Sequence, residues 1–256
     1  MKKKKKTVWQ CGGAVEILPC SHVGHVFRKA SPHDFPDRKS GTVLNSNLVR
    51  VAEVWMDQWK HLFYKTAPQA LDLSRKLDVS ERQNLRRQLE CKDFQWYLSN
   101  VWEDHFMPMP GDFFGRIGSW DGVSGCVTST PGEVGKRRHS LAVKQCTLGF
   151  DMWQLWVFQQ PEGSIRSDEH QCLGGTESKD GAWTLQLREC SQSTAEQWKY
   201  DSFSRFVHVK SGLCLYLDKS GGDAKTSAPT LQKCARFRTP NQEKWTLMPV
   251  EWKPES

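Results

Sequence analysis

The stretch Val8–Lys29, VWQCGGAVEILPCSHVGHVFRK, packs two cysteines, two histidines and a Gly-Gly pair into one short run. Such residue types suit metal or phosphate chemistry. A neutral imidazole accepts a divalent transition metal, and a guanidinium fork fits phosphate oxygens two at a time. His25 and Arg28 have those capacities, although an isolated His or Arg is more often a core or solvated residue. Cysteine-bound zinc does not fit, because no two cysteines stand two to four residues apart.

Groups of this kind act only when rigid elements hold them. Residues 47–100 read as helical: Leu48, Val51, Ala52, Trp55, Trp59, Leu62 and Phe63 recur at three- and four-residue steps, an apolar stripe. Pro68 should end or interrupt that element. Ser80 with Gln83 three positions on predicts a capping box opening a second helix, with Leu85 and Leu89 on its buried face. CKDFQWYL (Cys91–Leu98) is amphipathic and aromatic, and MPMPGD (Met107–Asp112) reads as a linker.

From Gly115 the texture changes to short β-favourable runs (LAVKQC, WTLQLREC, RFVHVK) between Gly, Ser, Asp and Pro clusters. This part repeats. Cysteines pair at gaps of 20, 18 and 20 residues (126/146, 172/190, 214/234), and Trp156, Trp198 and Trp245 close the units. Three units of this period imply one shared core, each stapled by a disulfide closing a loop of about twenty residues, a contribution of about 3 kcal/mol in the chain-entropy model. Disulfides belong to an oxidising compartment. Nine cysteines leave at least one sulfur without a partner in this chain.

At 256 residues there is room for two domains. Twelve tryptophans suit small repeated cores or platforms on which a sugar ring stacks. The formal charge is +7, of which Lys2–Lys6 supply +5. The basic balance is therefore a tail (residues 1–7) rather than a folded basic face, which argues against nucleic acid as a partner. No apolar run is long enough for a membrane span, and no apolar stretch of a signal peptide follows the lysines.

The repeats end in QLW (Gln154–Trp156), EQW (Glu196–Trp198) and EKW (Glu243–Trp245), and with the cysteine pairs residues 113–250 resemble the ricin-type β-trefoil. The three blocks VWQCGG…LPCSHVGHVFRK, VRVAEVWMDQWKHLFYK and CKDFQWYLSNVW resemble, in order, the end of the catalytic domain of the polypeptide N-acetylgalactosaminyltransferases. That resemblance implies a fold class in two parts. Residues 8–106 would be an α/β remnant of a GT-A domain, mostly helical here, and 113–250 an all-β lectin domain, with 107–112 as linker. It implies transfer of GalNAc from UDP-GalNAc to Ser or Thr of polypeptides, Mn2+ as the family's metal, and the Golgi lumen.

By the same resemblance His25 is a metal ligand, while Arg28, Ser31 and His33 face the UDP moiety. Cys11 pairs with Cys91, and Cys20 stays unpaired within this chain. The family's upstream Asp-x-His motif has no counterpart before Val8; the triplet Asp168-Glu169-His170 falls in a repeat and reads as surface loop. The chain is therefore expected not to retain the metal or to turn over alone. Helices made to cover a missing sheet would leave Trp55 and Trp59 exposed.

The resemblance also marks sugar positions. Where such repeats carry Asp, this chain has Thr128, Gly174 and Tyr216; where they carry Asn, it has Trp153, Ala195 and Asn241 or Gln242. A hydroxyl-reading site loses heavily without its hydrogen-bonding partner. Weak GalNAc binding is expected at most in the third repeat, through Asp218 and Asn241. Three readings stay open: part of a transferase, a carbohydrate-binding module, or a non-catalytic interaction protein.

Overall fold

A computed structural model describes residues 6–24, 26–27, 40–122, 125–130, 140–191, 196–219 and 227–253. Two compact units result: Met1–Glu103 with Trp252–Ser256, and Asp104–Glu251. The division falls ahead of the Met107–Asp112 stretch. Arg166 explains this, since its Nη1 donates to the Asp104 carbonyl at 2.9 Å and so ties that segment into the second unit.

The first unit is helical: α1 Lys6–Gln10, α2 Ser40–Trp55, α3 Lys60–Thr66, α4 Pro68–Ser74, α5 Ser80–Gln88 and α6 Phe94–Asn100. No strand occurs among its described residues. Pro68 opens α4, where its missing amide costs nothing. Asp93 caps α6, accepting from the Trp96 amide at 2.6 Å. Val49, Ala52, Val54, Leu62, Phe94 and Leu98 form the core. Buried Gln10 donates to the Lys92 carbonyl at 3.2 Å, beside the disulfide Cys11–Cys91.

Three sequence expectations fail here. Trp59 is only 2% exposed, because Phe94 and Trp252 pack their rings at 5.6 and 6.3 Å from it. Trp55 is half-buried under the Arg86 guanidinium. Ser80 is not a cap but already helical: Asp78 takes its amide at 2.9 Å, and Gln83 donates instead to the Glu53 carbonyl. Leu85 and Leu89 are exposed, and α5 buries no residue. It is held by polar contacts, so its apolar pattern was not the face that packs. Arg86 donates to the Val54 carbonyl at 2.6 Å and to both carboxylate oxygens of Asp57 at 2.7 and 3.0 Å.

Among its described residues the second unit has twelve strands in three sets of four: β1 Phe113–Ser119, β2 Cys126–Thr130, β3 Ser140–Lys144 and β4 Trp156–Phe158; β5 Glu162–Arg166, β6 Gln171–Glu177, β7 Trp183–Glu189 and β8 Gln197–Tyr200; β9 Phe206–His208, β10 Leu213–Asp218, β11 Ala228–Lys233 and β12 Trp245–Pro249. Strands β12, β1, β4, β5, β8 and β9 follow one another as antiparallel pairs. The hairpins β2–β3, β6–β7 and β10–β11 complete the three sets. Each hairpin carries its own disulfide: Cys126–Cys146, Cys172–Cys190 and Cys214–Cys234.

One core serves all three sets, with Ile117, Ile165, Phe206 and the three closing tryptophans fully buried in it. Each indole donates to the carbonyl of the residue after the first cysteine of its repeat: Trp156 to Val127 at 2.9 Å, Trp198 to Leu173 at 2.8 Å, Trp245 to Leu215 at 3.0 Å. A buried N–H needs such a partner, and here the partner fixes each hairpin to the shared core. Gly115 permits the close β1–β12 approach, since a Cβ there would stand 2.2 Å from the Met248 carbonyl oxygen.

Candidate functional site

Beside each closing tryptophan lies the residue two positions earlier, and it sets the local electrostatics. In the first repeat this is Gln154, which donates to Thr128 Oγ1 at 3.1 Å and to the Gln145 carbonyl at 2.8 Å, and accepts from the Thr147 amide at 2.9 Å. The other repeats bury a glutamate, and a buried carboxylate requires compensation. Glu196 accepts from Ser191 Oγ at 2.7 Å and pairs with Arg188 at 3.3 Å. Glu243 accepts from the Ala235 amide at 3.0 Å and lies 3.8 Å from Arg205. The Gln-to-Glu changes are thus absorbed by arginines already within the fold.

The sugar positions fare differently. Thr128 is buried; its hydroxyl donates to the Cys126 carbonyl and receives Gln154, so it is committed inward. Gly174 offers no side chain, and Tyr216 is half-buried within β10. Trp153 is 43% exposed, whereas Ala195 lies outside the described residues. Asp168 accepts from the amides of His170 and Gln171, both at 2.7 Å, which makes the Asp-x-His triplet a turn.

The third repeat does hold a cleft, of about 220 Å³, lined by Asp121, Leu217, Lys219, Asn241 and Gln242. Asn241 opens a short 3₁₀ turn, Asn241–Glu243, and is one of the lining residues. Asp218 ends β10 between two lining residues but is not itself part of the lining. Two polar participants were missed by sequence reasoning, Asp121 and Lys219. Asp121, in the turn after β1, accepts from Ser119 Oγ at 2.7 Å and from Lys219 Nζ at 2.9 Å. Asp121 and Lys219 lie 98 residues apart along the chain, a juxtaposition that no local pattern announces.

In the helical unit a more open hollow, about 570 Å³, lies beside Cys91 between Glu53 and Arg87. Its central groups serve each other: Asp57 holds Arg86 and also accepts from the Phe94 amide at 2.7 Å. Glu53 likewise takes Lys60 and the Tyr64 hydroxyl, both at 2.7 Å, and burial followed by that bond pushes the phenol up out of its ordinary range.

His25, Arg28, Ser31 and His33 lie outside the described residues. His22 is exposed, and no group of three or more His, Cys, Asp or Glu side chains able to hold a metal occurs among the described residues. The described residues do not compose a manganese site. Cys20 is an exposed free thiol. No helix among the described residues is long and apolar enough to cross a membrane.

Three hairpins on a common core, each pinned by an indole and a disulfide, define a β-trefoil. Residues 114–245 match the ricin-type beta-trefoil lectin domain, and the chain belongs to that family. Over 97% of its length the chain is 48% identical to the probable N-acetylgalactosaminyltransferase 6 of Caenorhabditis elegans, covering 40% of that protein. It is 31% identical over 96% of its length to polypeptide N-acetylgalactosaminyltransferase 3 of Drosophila melanogaster, covering 46% of it. Among solved structures, the crystal structure of GalNAc-T7 with UDP, GalNAc and Mn2+ matches 97% of this chain and 43% of its own, with 25% identity and a TM-score of 0.54. The chain therefore spans less than half the length of these relatives.

Proposed function

We propose that this chain supplies one side of a UDP-GalNAc:polypeptide N-acetylgalactosaminyltransferase together with that enzyme's lectin domain. In this reading the helical unit is a segment of a GT-A catalytic domain. The products are GalNAc-modified Ser and Thr residues, and the place of action is the Golgi lumen. The observation that carries it is 48% identity to a transferase sustained across both units rather than over the trefoil alone. The apolar strip Ile17, Leu18, Val23, Val26 and Phe27, from 62% to 90% exposed, supports it as a surface fashioned to be covered by more polypeptide.

His25 is proposed as a metal ligand and Arg28, Ser31 and His33 as donor-facing residues. Bound there, Mn2+ would take up charge on the departing UDP. A chimera tests this: the matching part of the Caenorhabditis elegans relative is replaced by this chain, then assayed with UDP-GalNAc, Mn2+ and a Ser/Thr peptide. Transfer that His25→Ala abolishes is the expected result. A secreted, folded chimera without transfer, or one indifferent to His25→Ala, contradicts the reading. The chain by itself is expected to give no turnover.

A second reading rests on the cleft at Asp121 and Asn241. Carboxylate and amide groups facing a cleft of that size suit the hydroxyls of one sugar ring. GalNAc titrated by NMR should shift signals of this cleft, and Asp121→Ala or Asn241→Ala should remove the shifts. If Asp218→Ala leaves them unchanged, Asp218 has no part in the site.

A further inference from the structure

We propose that the loop after β11 in the third repeat is a docking patch for an acidic polypeptide segment bearing an apolar side chain among its carboxylates. The run Lys233-Cys234-Ala235-Arg236-Phe237-Arg238 holds three cations and no acid. Outside Lys2–Lys6 the whole chain nets only +2, so this hexapeptide concentrates more positive charge than the remainder does. Lys233, Arg236 and Arg238 are all exposed, and none has an ion-pair partner among the described residues. Phe237, between the two arginines, is 101% exposed.

The backbone beneath these side chains is held firmly. Cys234 is bonded to Cys214, the Ala235 amide donates to Glu243, and the Ala235 carbonyl accepts from Arg205 Nη1 at 3.0 Å. Arg205 also lies over the ring of Phe203, centroid 5.0 Å away, which adds a second aromatic at 60% exposure. The nearby carboxylates do not quench the surface cations: Asp201 and Glu243 are turned onto Arg205 and backbone amides. A positioned loop presenting free guanidinium forks loses little entropy on binding.

The trefoil provides its own control. The equivalent loop of the first repeat, after Cys146, reads Thr-Leu-Gly-Phe-Asp, and that of the second, after Cys190, reads Ser-Gln-Ser-Thr-Ala. Neither carries a cation. Two of the three loops carry no arginine of their own, so the repeat pattern does not demand Arg236 and Arg238. Guanidinium forks match carboxylates bidentately, and an exposed phenylalanine rewards an apolar neighbour. Three cations on one short loop suit a peptide better than a bilayer, where stable attachment takes two anchoring signals.

The test is fluorescence anisotropy with a labelled acidic peptide containing a central phenylalanine. The full chain is compared with a form in which Lys2 to Lys6 are each replaced by serine, which removes the tail as a competing polycation. In that tail-neutral background R236E with R238E should weaken binding at least about tenfold while leaving the melting temperature unchanged. Phe237→Ser should weaken binding severalfold, and only for the peptide that contains phenylalanine. Binding that follows the lysine tail alone, or that ignores Arg236 and Arg238, overturns the proposal. So does the result that phosphatidylserine vesicles, and not the peptide, depend on these residues.

Discussion

The two units solve the same problem, how a modest core stays closed, in opposite ways. The trefoil spreads its closure over three disulfides, three indole–carbonyl bonds and one shared core, so that each staple is present three times. The helical unit relies on single devices spanning long stretches of chain. One disulfide bridges 80 residues, one Asp57–Arg86 fork ties the segment after α2 to α5, and the rings of Phe94 and Trp252 cover Trp59. Its residues Ile17, Leu18, Val23, Val26 and Phe27, with Leu85 and Leu89, face solvent. Redundancy makes a fold self-sufficient; long single staples mark one that borrows support.

That contrast can be broken most forcefully at Cys11–Cys91. In the chain-entropy model its loop is worth about 4.5 kcal/mol, against about 3.3 for any one trefoil bridge. Cys91→Ser should therefore abolish the cooperative helical signal by circular dichroism in urea while leaving the trefoil transition in place. Loss of both transitions together would erase the distinction. Trp198→Ala should cost the trefoil about 4 kcal/mol, because a fully buried ring and the bond to the Leu173 carbonyl go together. The helical transition should not move.

Arg86→Met should remove about 2 kcal/mol from the helical unit, since Asp57 would be left facing a half-buried hollow with one partner fewer. A change under a few tenths would mean that the fork is ornamental.

The smallest effect expected is a pH dependence within the trefoil unit, because solvent screening at the half-buried His105 discounts its contribution. Burial, with the Arg166 charge beside it, brings His105 down to about 4, below its ordinary 6.5. The unfolded chain then binds the extra proton between those values, so stability contributed by neutral His105 is full above pH 6.5 and is lost as pH falls toward 4. Burial raises Asp112 from its ordinary range, which acts in the opposite sense at the acid end. Thermal melts from pH 7 to 4.5 should show a decline that His105→Gln flattens. Parallel curves for the two proteins would remove His105 as a source of acid sensitivity.

Much of the trefoil was legible because its devices are periodic and local. Cysteines at gaps of 20, 18 and 20, with tryptophans closing each unit, leave few ways to arrange three hairpins. The helical unit was legible in α2, in Pro68 and in the presence of α5, but not in how α5 is capped and held. There Asp78 displaced the expected cap, and polar bonds to the Glu53 and Val54 carbonyls replaced the apolar face. Trp59 was expected to stand exposed for another reason: part of its cover, Trp252, comes from the far end of the chain. The cleft was half legible, Asn241 by its place in the repeat, Asp121 and Lys219 not at all, since only folding brings them to 2.9 Å.

Limited proteolysis followed by mass spectrometry sets the two units against each other most directly. If the trefoil closes upon itself and the helical unit leans on further polypeptide, cuts should fall first between Ala14 and Phe27. A resistant core beginning between Glu103 and Asp112 should then outlast everything before it. A helical unit that survives as long as the trefoil under the same protease would contradict that division of labour.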